Sequence, residues 1–143
     1  MQIELVNLDP KSIAFANDRD ETLANAKLEA FLANAGIVPE HRFQNELVIK
    51  KDGKRLAVYI KYASVPRGTP KTKDVNVADM AGGPALKIRI SPEEYVPFTD
   101  GDLMPRIREY LDENRLGIDN RQANALAEPH GDGYDVYLPV KGK

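Results

Sequence analysis

FQNELVIKKDGKRLAVYIKY, residues 43–62, predicts a β-hairpin, and this hairpin decides how the rest of the chain is interpreted. Strands are expected over residues 43–50 and 56–62. Lys51-Asp52-Gly53-Lys54 joins them, because Asp-Gly is a strong signal for a two-residue hairpin turn. The densest basic run of the chain surrounds this turn, and we interpret it as a solvated hairpin tip formed by Lys50, Lys51, Lys54 and Arg55.

The residues before the hairpin supply strands and a helix. Residues 2–8 and 12–16 have the short apolar clusters of strands, with Asp9-Pro10 between them, and form either one long interrupted strand or two short ones. Residues 21–35 change to a helical period, and Gly36 is a suitable stop. The predicted apolar face of this helix consists of Leu23, Leu28, Phe31, Leu32 and Ala35.

The residues after the hairpin repeat the same order. Residues 63–74 contain Pro66, Gly68 and Pro70 and are expected to form a loop. Strands are predicted over 75–77 and 86–90, a helix over 103–114, a weak strand over 121–126 and a final strand over 134–140. Both halves therefore read strand, helix, strand, strand.

An internal duplication explains this repetition. A shift of 78 residues places Gln44 on Gln122, Val58 on Val136 and Tyr59 on Tyr137. We predict a single α+β domain over residues 1–143, with a first repeat at about 1–65 and a second at about 74–143. The two repeats are expected to have pseudo-two-fold symmetry, with an antiparallel sheet, two helices on one face, and a ligand groove along their seam.

The composition excludes several classes of protein. Among 143 residues there is no cysteine and there are two histidines, so we predict no metal site and no cofactor. The 20 basic and 22 acidic residues are interleaved, which argues against a nucleic-acid partner. No apolar stretch approaches the length of a membrane span, so we expect a cytoplasmic protein with no membrane partner.

The second half resembles the GyrI-like superfamily, also known as AraC-type effector-binding domains. The resemblance rests on the Gly82-Gly83-Pro84 turn, the helix ending in Tyr110-Leu111, and the final Tyr134-Asp135-Val136-Tyr137-Leu138-Pro139-Val140. It implies a groove for small organic molecules, often aromatic or cationic. Many members of the family carry a glutamate on the strand before the last one, and the matching position here is Asn124.

The predicted ligand-binding residues are Glu46, Tyr59, Asn124, Tyr137 and Phe98. The 78-residue shift relates Glu46 to Asn124, so Glu46 is either a substitute carboxylate in the groove or a charge on an outer strand face. Tyr59 and Tyr137 either stack on a flat ligand or pack in the core. Phe98 belongs either to the lip of the groove or to the core between helix and sheet.

The function predicted from these residues is a stand-alone domain, without its own DNA-binding part, that senses or sequesters a hydrophobic or aromatic ligand, cationic ones included. One alternative is a protein-interaction module that inhibits a larger enzyme such as gyrase. Another is a weak hydrolase of electrophilic small molecules, with Glu46 and either Tyr59 or Tyr137 as the acid–base pair. No catalytic residue is assigned, because His41 and His130 both lie in polar loop contexts.

Overall fold

A computed structural model describes residues 1–119 and 125–143. The chain divides into two compact units. The first unit is Pro10–Met80, and the second unit combines Met1–Asp9 with Ala81–Lys143. Each unit is an antiparallel sheet with helical structure packed on one face, so the predicted α+β class is confirmed.

The elements of the described residues follow in chain order. They are β1 (Gln2–Leu8), β2 (Lys11–Asp18), α1 (Glu21–Ala35), β3 (Arg42–Lys51), β4 (Lys54–Val65), β5 (Asn76–Met80), β6 (Gly83–Ile90), a 3-10 turn (Pro92–Glu94), α2 (Tyr95–Thr99), α3 (Met104–Glu113), β7 (Leu116–Ile118), β8 (Leu126–His130) and β9 (Gly133–Gly142).

The predicted hairpin forms the centre of the first unit. Asp52 and Gly53 have φ angles of 52° and 72°, which is the left-handed geometry that a two-residue hairpin turn with the native strand twist requires. β3 and β4 pair from Arg42 opposite Ala63 to Lys51 opposite Lys54. β2 adds to β4, and β5 adds to β2, so the strand order is β3-β4-β2-β5.

Helix α1 covers one face of this sheet. The side chain of Asp20 accepts a hydrogen bond from the backbone N–H of Leu23, and Gly36 ends the helix at a φ of 68°. Leu28, Phe31 and Leu32 pack against strand residues, which include Ala14, Ala16, Ala63 and Val65.

The predicted apolar face of α1 was only partly correct. Leu23 is 52% exposed and Ala35 is exposed, whereas Ala24 is fully buried. Buried residues at 24, 28, 31 and 32 follow the i, i+4, i+7, i+8 spacing of a single narrow stripe, and Leu23 lies about 100° away from Ala24 around the helix.

The second unit has the strand order β1-β6-β9-β8, and β7 pairs with the end of β9. Leu86 and Ile88 on β6 lie opposite Leu138 and Val136 on β9, and these residues share a core with Ile107 and Leu111 of α3. β9 begins at Gly133, where the chain passes so close to β6 that a Cβ would overlap the carbonyl oxygen of Ile90.

The two units have the same connectivity, as the duplication predicts. The strand-helix-strand-strand order is β2-α1-β3-β4 in one and β6-α3-β8-β9 in the other, and an additional strand pairs with the first strand of each. In each unit this additional strand belongs to the other predicted repeat. β1, from the first repeat, pairs with β6, and β5, from the second repeat, pairs with β2. The units therefore do not coincide with the predicted repeats at about 1–65 and 74–143.

The 78-residue register between the repeats is wrong for the last strand of each unit. Ala63 and Val65 on β4 face α1, and Val136, Leu138 and Val140 on β9 belong to the core with α3. Strand residues alternate between faces, so only an odd shift aligns odd-numbered residues of β4 with even-numbered residues of β9. The even shift instead matches residues from opposite faces.

Candidate functional site

The first unit contains a pocket of about 330 Å³ on the sheet face opposite α1, which we call the helix-free face. Its lining combines the ends of two neighbouring strands with a short loop. Phe15 and Asn17 alternate with Ala14 and Ala16, which pack against α1, so these two side chains point to the helix-free face. The complete lining is Phe15, Asn17, Lys71, Thr72, Lys73, Asp74 and Asn76.

Phe15, the one aromatic residue of the lining, is in contact with a second aromatic ring outside the lining. Phe15 lies opposite Tyr62 in the β2–β4 register, and their ring centroids are 5.7 Å apart at an interplanar angle of 41°. Tyr62 is only 5% exposed. The ring of Phe15 therefore has a buried aromatic neighbour on the adjacent strand.

A buried asparagine holds the hydroxyl of Tyr62. Burial raises the pKa of Tyr62 to about 12, and the hydrogen bond to Asn45 opposes part of that rise. Asn45 is itself buried, and its Oδ1 accepts a hydrogen bond of 2.9 Å from the backbone N–H of Glu46. Tyr62 therefore stays neutral over the physiological pH range and gives Phe15 an uncharged neighbour.

The loop that borders the pocket is anchored at one end. The backbone N–H of Thr72 donates to the carbonyl oxygen of Val75 at 2.9 Å, and the N–H of Val75 donates to Oγ1 of Thr72 at 3.3 Å. Val75 is buried in the core beneath α1. This arrangement fixes the backbone between Lys71 and Asp74 while leaving their side chains exposed.

The structure brings two of the predicted site residues together. Glu46 on β3 lies directly opposite Tyr59 on β4, on the same face as Ala63, which is the face that α1 covers. The Glu46 side chain is 11% exposed, and its Oε2 lies 3.3 Å from Nη2 of Arg55. This pair is therefore on the opposite side of the sheet from the pocket, and the carboxylate already has a cationic partner.

Tyr137 and Phe98 are not brought together. Tyr137 alternates with Val136 and Leu138 and so points away from the core that contains α3, whereas Phe98 on α2 packs against that core. Burial, followed by the charges of Glu128 and Asp135, raises the pKa of Tyr137. The remaining predicted residue, Asn124, lies outside the described residues.

Sequence reasoning missed a charged cluster around Asp135. This carboxylate is 3% exposed and pairs with Arg89 through contacts of 2.9 and 3.3 Å, while Nζ of Lys87 lies 3.9 Å and Nδ1 of His130 lies 3.6 Å away. Burial alone would raise the pKa of Asp135, but the hydrogen bonds and charges of these cations outweigh burial and lower it. Only the β6–β9 register, in which Arg89 lies opposite Asp135, reveals this acidic partner.

Neither a metal centre nor a membrane span is found in the described residues. Across 1–119 and 125–143, no group of three or more histidine, aspartate or glutamate side chains could hold a metal ion. Over the same residues, no helix combines the length and the apolar character needed to cross a bilayer.

Comparisons with known proteins identify the fold. No family model and no curated protein matches the sequence. The crystal structure of a hydrolase from Listeria innocua matches with a TM-score of 0.64 and 12% identity, covering 98% of this chain and 92% of that one. The crystal structure of the EcmrR C-terminal domain matches with a TM-score of 0.65 and 12% identity, covering 99% and 98%.

A third solved structure is SAV2435 bound to tetraphenylphosphonium. It matches with a TM-score of 0.50 and 12% identity, covering 99% of this chain and 95% of that one. At such low identity these likenesses concern the backbone alone. The chain is similar in fold to the EcmrR C-terminal domain and the Listeria protein over almost its whole length.

Proposed function

We propose that this chain binds a small organic molecule with an aromatic or other apolar group, in the pocket over Phe15. The observation that carries the proposal is the pocket itself. Its volume of about 330 Å³ lies within the range of ligand sites, and its lining combines the aromatic ring of Phe15 with six polar or charged residues. The ring of the ligand would stack on Phe15, and the amides of Asn17 and Asn76 would orient it.

The fold supports this proposal. The EcmrR C-terminal domain and SAV2435 share it, and the latter was solved with a bound organic cation. We further propose that the chain belongs to the GyrI-like effector-binding superfamily, as its final strand suggests. The pocket lining contains none of the ligand-binding residues predicted from the sequence. Their binding roles remain predictions, for Glu46, Tyr59, Asn124, Tyr137 and Phe98.

The pocket sets the scale of the expected affinity. Burying a phenyl-sized group contributes about 1.5–3 kcal/mol, and an aromatic pair adds about 0.5–1.5 kcal/mol. These terms alone correspond to dissociation constants near 1 mM or weaker, so the polar rim must supply the rest of the affinity. Aromatic fragments should therefore be screened at roughly millimolar concentration.

A thermal-shift screen of neutral, anionic and cationic aromatic fragments tests the proposal, because a ligand selective for the folded state raises the melting temperature. Hits should bind measurably weaker to the Asn17→Ala and Asn76→Ala variants. Both residues are exposed, so neither change should unfold the protein. Asn7→Ala, an exposed change on β1, is the matched control. Hits that bind both pocket variants as tightly as the control would contradict the pocket assignment.

A second candidate function is hydrolysis of an electrophilic small molecule. The observation that favours it is the direct pairing of Glu46 with Tyr59 across β3 and β4. Glu46→Gln removes the charge at nearly constant volume, so turnover of an activated ester or epoxide probe should disappear in this variant. Turnover that Glu46→Gln leaves unchanged would exclude this pair.

A further inference from the structure

The charges around the pocket suggest the class of its ligand. Lys71 and Lys73 both lie in the lining and are exposed, and neither forms an ion pair within the described residues. Asp74 is the only acidic residue of the lining, so the pocket has one positive charge in excess. We propose that the ligand is an organic anion, namely an aromatic or apolar group that carries a carboxylate. This inference rests on the proposed function.

The sheet beneath the pocket has the same charge preference. The first unit is described in full, and none of its strand residues on the helix-free face is acidic. The acidic residues of its strands, Asp18, Glu46 and Asp79, all belong to the face that α1 covers. Lys11, in contrast, points to the helix-free face, with Nζ 5.4 Å from the ring centroid of Phe43.

Two poorly exposed carboxylates of the described residues already have cationic partners. Asp135 is paired with Arg89 and has Lys87 and His130 close by, and Glu46 is paired with Arg55. At either of these two carboxylates an organic cation would have to displace a partner, and at Asp74 it would meet the repulsion of the adjacent lysines. A carboxylate at the rim of the pocket meets no such opposition, because Lys71 and Lys73 are available to it.

Exposed lysines give effects of predictable size. An ion pair at the surface contributes little, so removing either lysine should weaken anion binding about two- to fivefold, and removing both should weaken it about four- to twenty-five-fold. These effects should shrink as ionic strength rises, because the Debye length falls from about 30 Å at 0.01 M salt to about 3 Å at 1 M.

Three probes of the same shape and different charge test the inference: 2-naphthoate, 2-acetylnaphthalene and trimethyl(2-naphthyl)ammonium. Isothermal titration calorimetry at low salt measures their affinities for the wild type, Lys71→Gln, Lys73→Gln and the double variant. Lys141→Gln, a change at an exposed lysine of β9, is the control. We expect naphthoate to bind tightest and the two pocket substitutions to weaken naphthoate alone, while the control has no effect.

The outcomes separate the two proposals. If the cation binds tightest, or if naphthoate binds the double variant as well as the wild type, the anion inference fails. The pocket function then still stands, provided that Asn17→Ala and Asn76→Ala weaken the probes that do bind. If no probe binds, or if binding is unaffected by every pocket variant, both proposals fail.

Discussion

Replacing Gly133 with alanine should strongly destabilise the second unit. A Cβ at this position would overlap the carbonyl oxygen of Ile90 and would lie 3.2 Å from the carbonyl carbon of Ile90 and 3.3 Å from Cα of Ser91. All three atoms belong to the backbone of β6 and its continuation, so no side-chain rotation relieves the overlap. The strands must separate where Ile90 pairs with Tyr134.

The cost of this separation follows from the effects of overpacking. Forcing backbone shifts to admit an extra methyl group typically costs about 1–3 kcal/mol, and contact with main-chain atoms places Gly133→Ala near 3 kcal/mol. For a chain of this length each kcal/mol lowers the melting temperature by about 2–4 °C, so a fall of roughly 6–12 °C is expected.

Urea unfolding followed by circular dichroism measures this effect. Gly142→Ala is the matched control, because it lies on the same strand and a Cβ added there would have no atom within 4 Å. That variant should remain within about 0.5 kcal/mol of the wild type. A Gly133→Ala protein as stable as the Gly142→Ala protein would refute the close approach of β9 to β6.

Three further predictions concern the core and two buried polar groups. Leu32→Ala should lower the free energy of unfolding by about 2–5 kcal/mol because Leu32 is buried, whereas Leu23→Ala should lower it by no more than about 0.5 kcal/mol because Leu23 is half exposed. Thermal unfolding of the two variants measures this difference. Asp135→Asn should lose about 1–3 kcal/mol near neutral pH, and its deficit in urea titrations should vanish as the pH falls through the lowered folded-state pKa of Asp135. The pKa of Tyr62 is about 10 in the unfolded chain and about 12 in the folded protein, so the free energy of unfolding of the wild type should fall as the pH rises from 10 to about 12. The Tyr62→Phe variant should lose less stability over that interval.

The sequence predicted those parts of the fold that local chemistry determines. Asp52-Gly53 dictates a hairpin turn on its own, and Gly36 marks the end of α1 without help from the rest of the chain. The order of the first unit was therefore predictable, whereas α2 and β7 of the second unit were not predicted and β8 begins only at Leu126, the last residue of its predicted range. The pairing of β1 with β6 and of β5 with β2 could not be predicted, because the residue pattern of a strand does not indicate which distant strand it pairs with.

The pocket was beyond sequence reasoning for a related physical reason. Phe15 and Asn76 become neighbours only through the β2–β5 register, and the loop reaches them because Thr72 and Val75 bond to each other. The expected equivalence of Tyr59 and Tyr137 failed because a shift by an even number of residues exchanges the two faces of the strand. Identity between repeats is too sparse to detect such a one-residue error.

A titration monitored by amide chemical shifts tests the central claim most directly. With uniformly ¹⁵N-labelled protein at low salt, 2-naphthoate should shift the amides of residues 15–17 and 71–76, and it should leave those around Tyr137 and Glu46 in place. Shifts that saturate on this set would support ligand binding at the pocket over Phe15. Saturating shifts confined to other residues, or no shifts at millimolar probe, would contradict it.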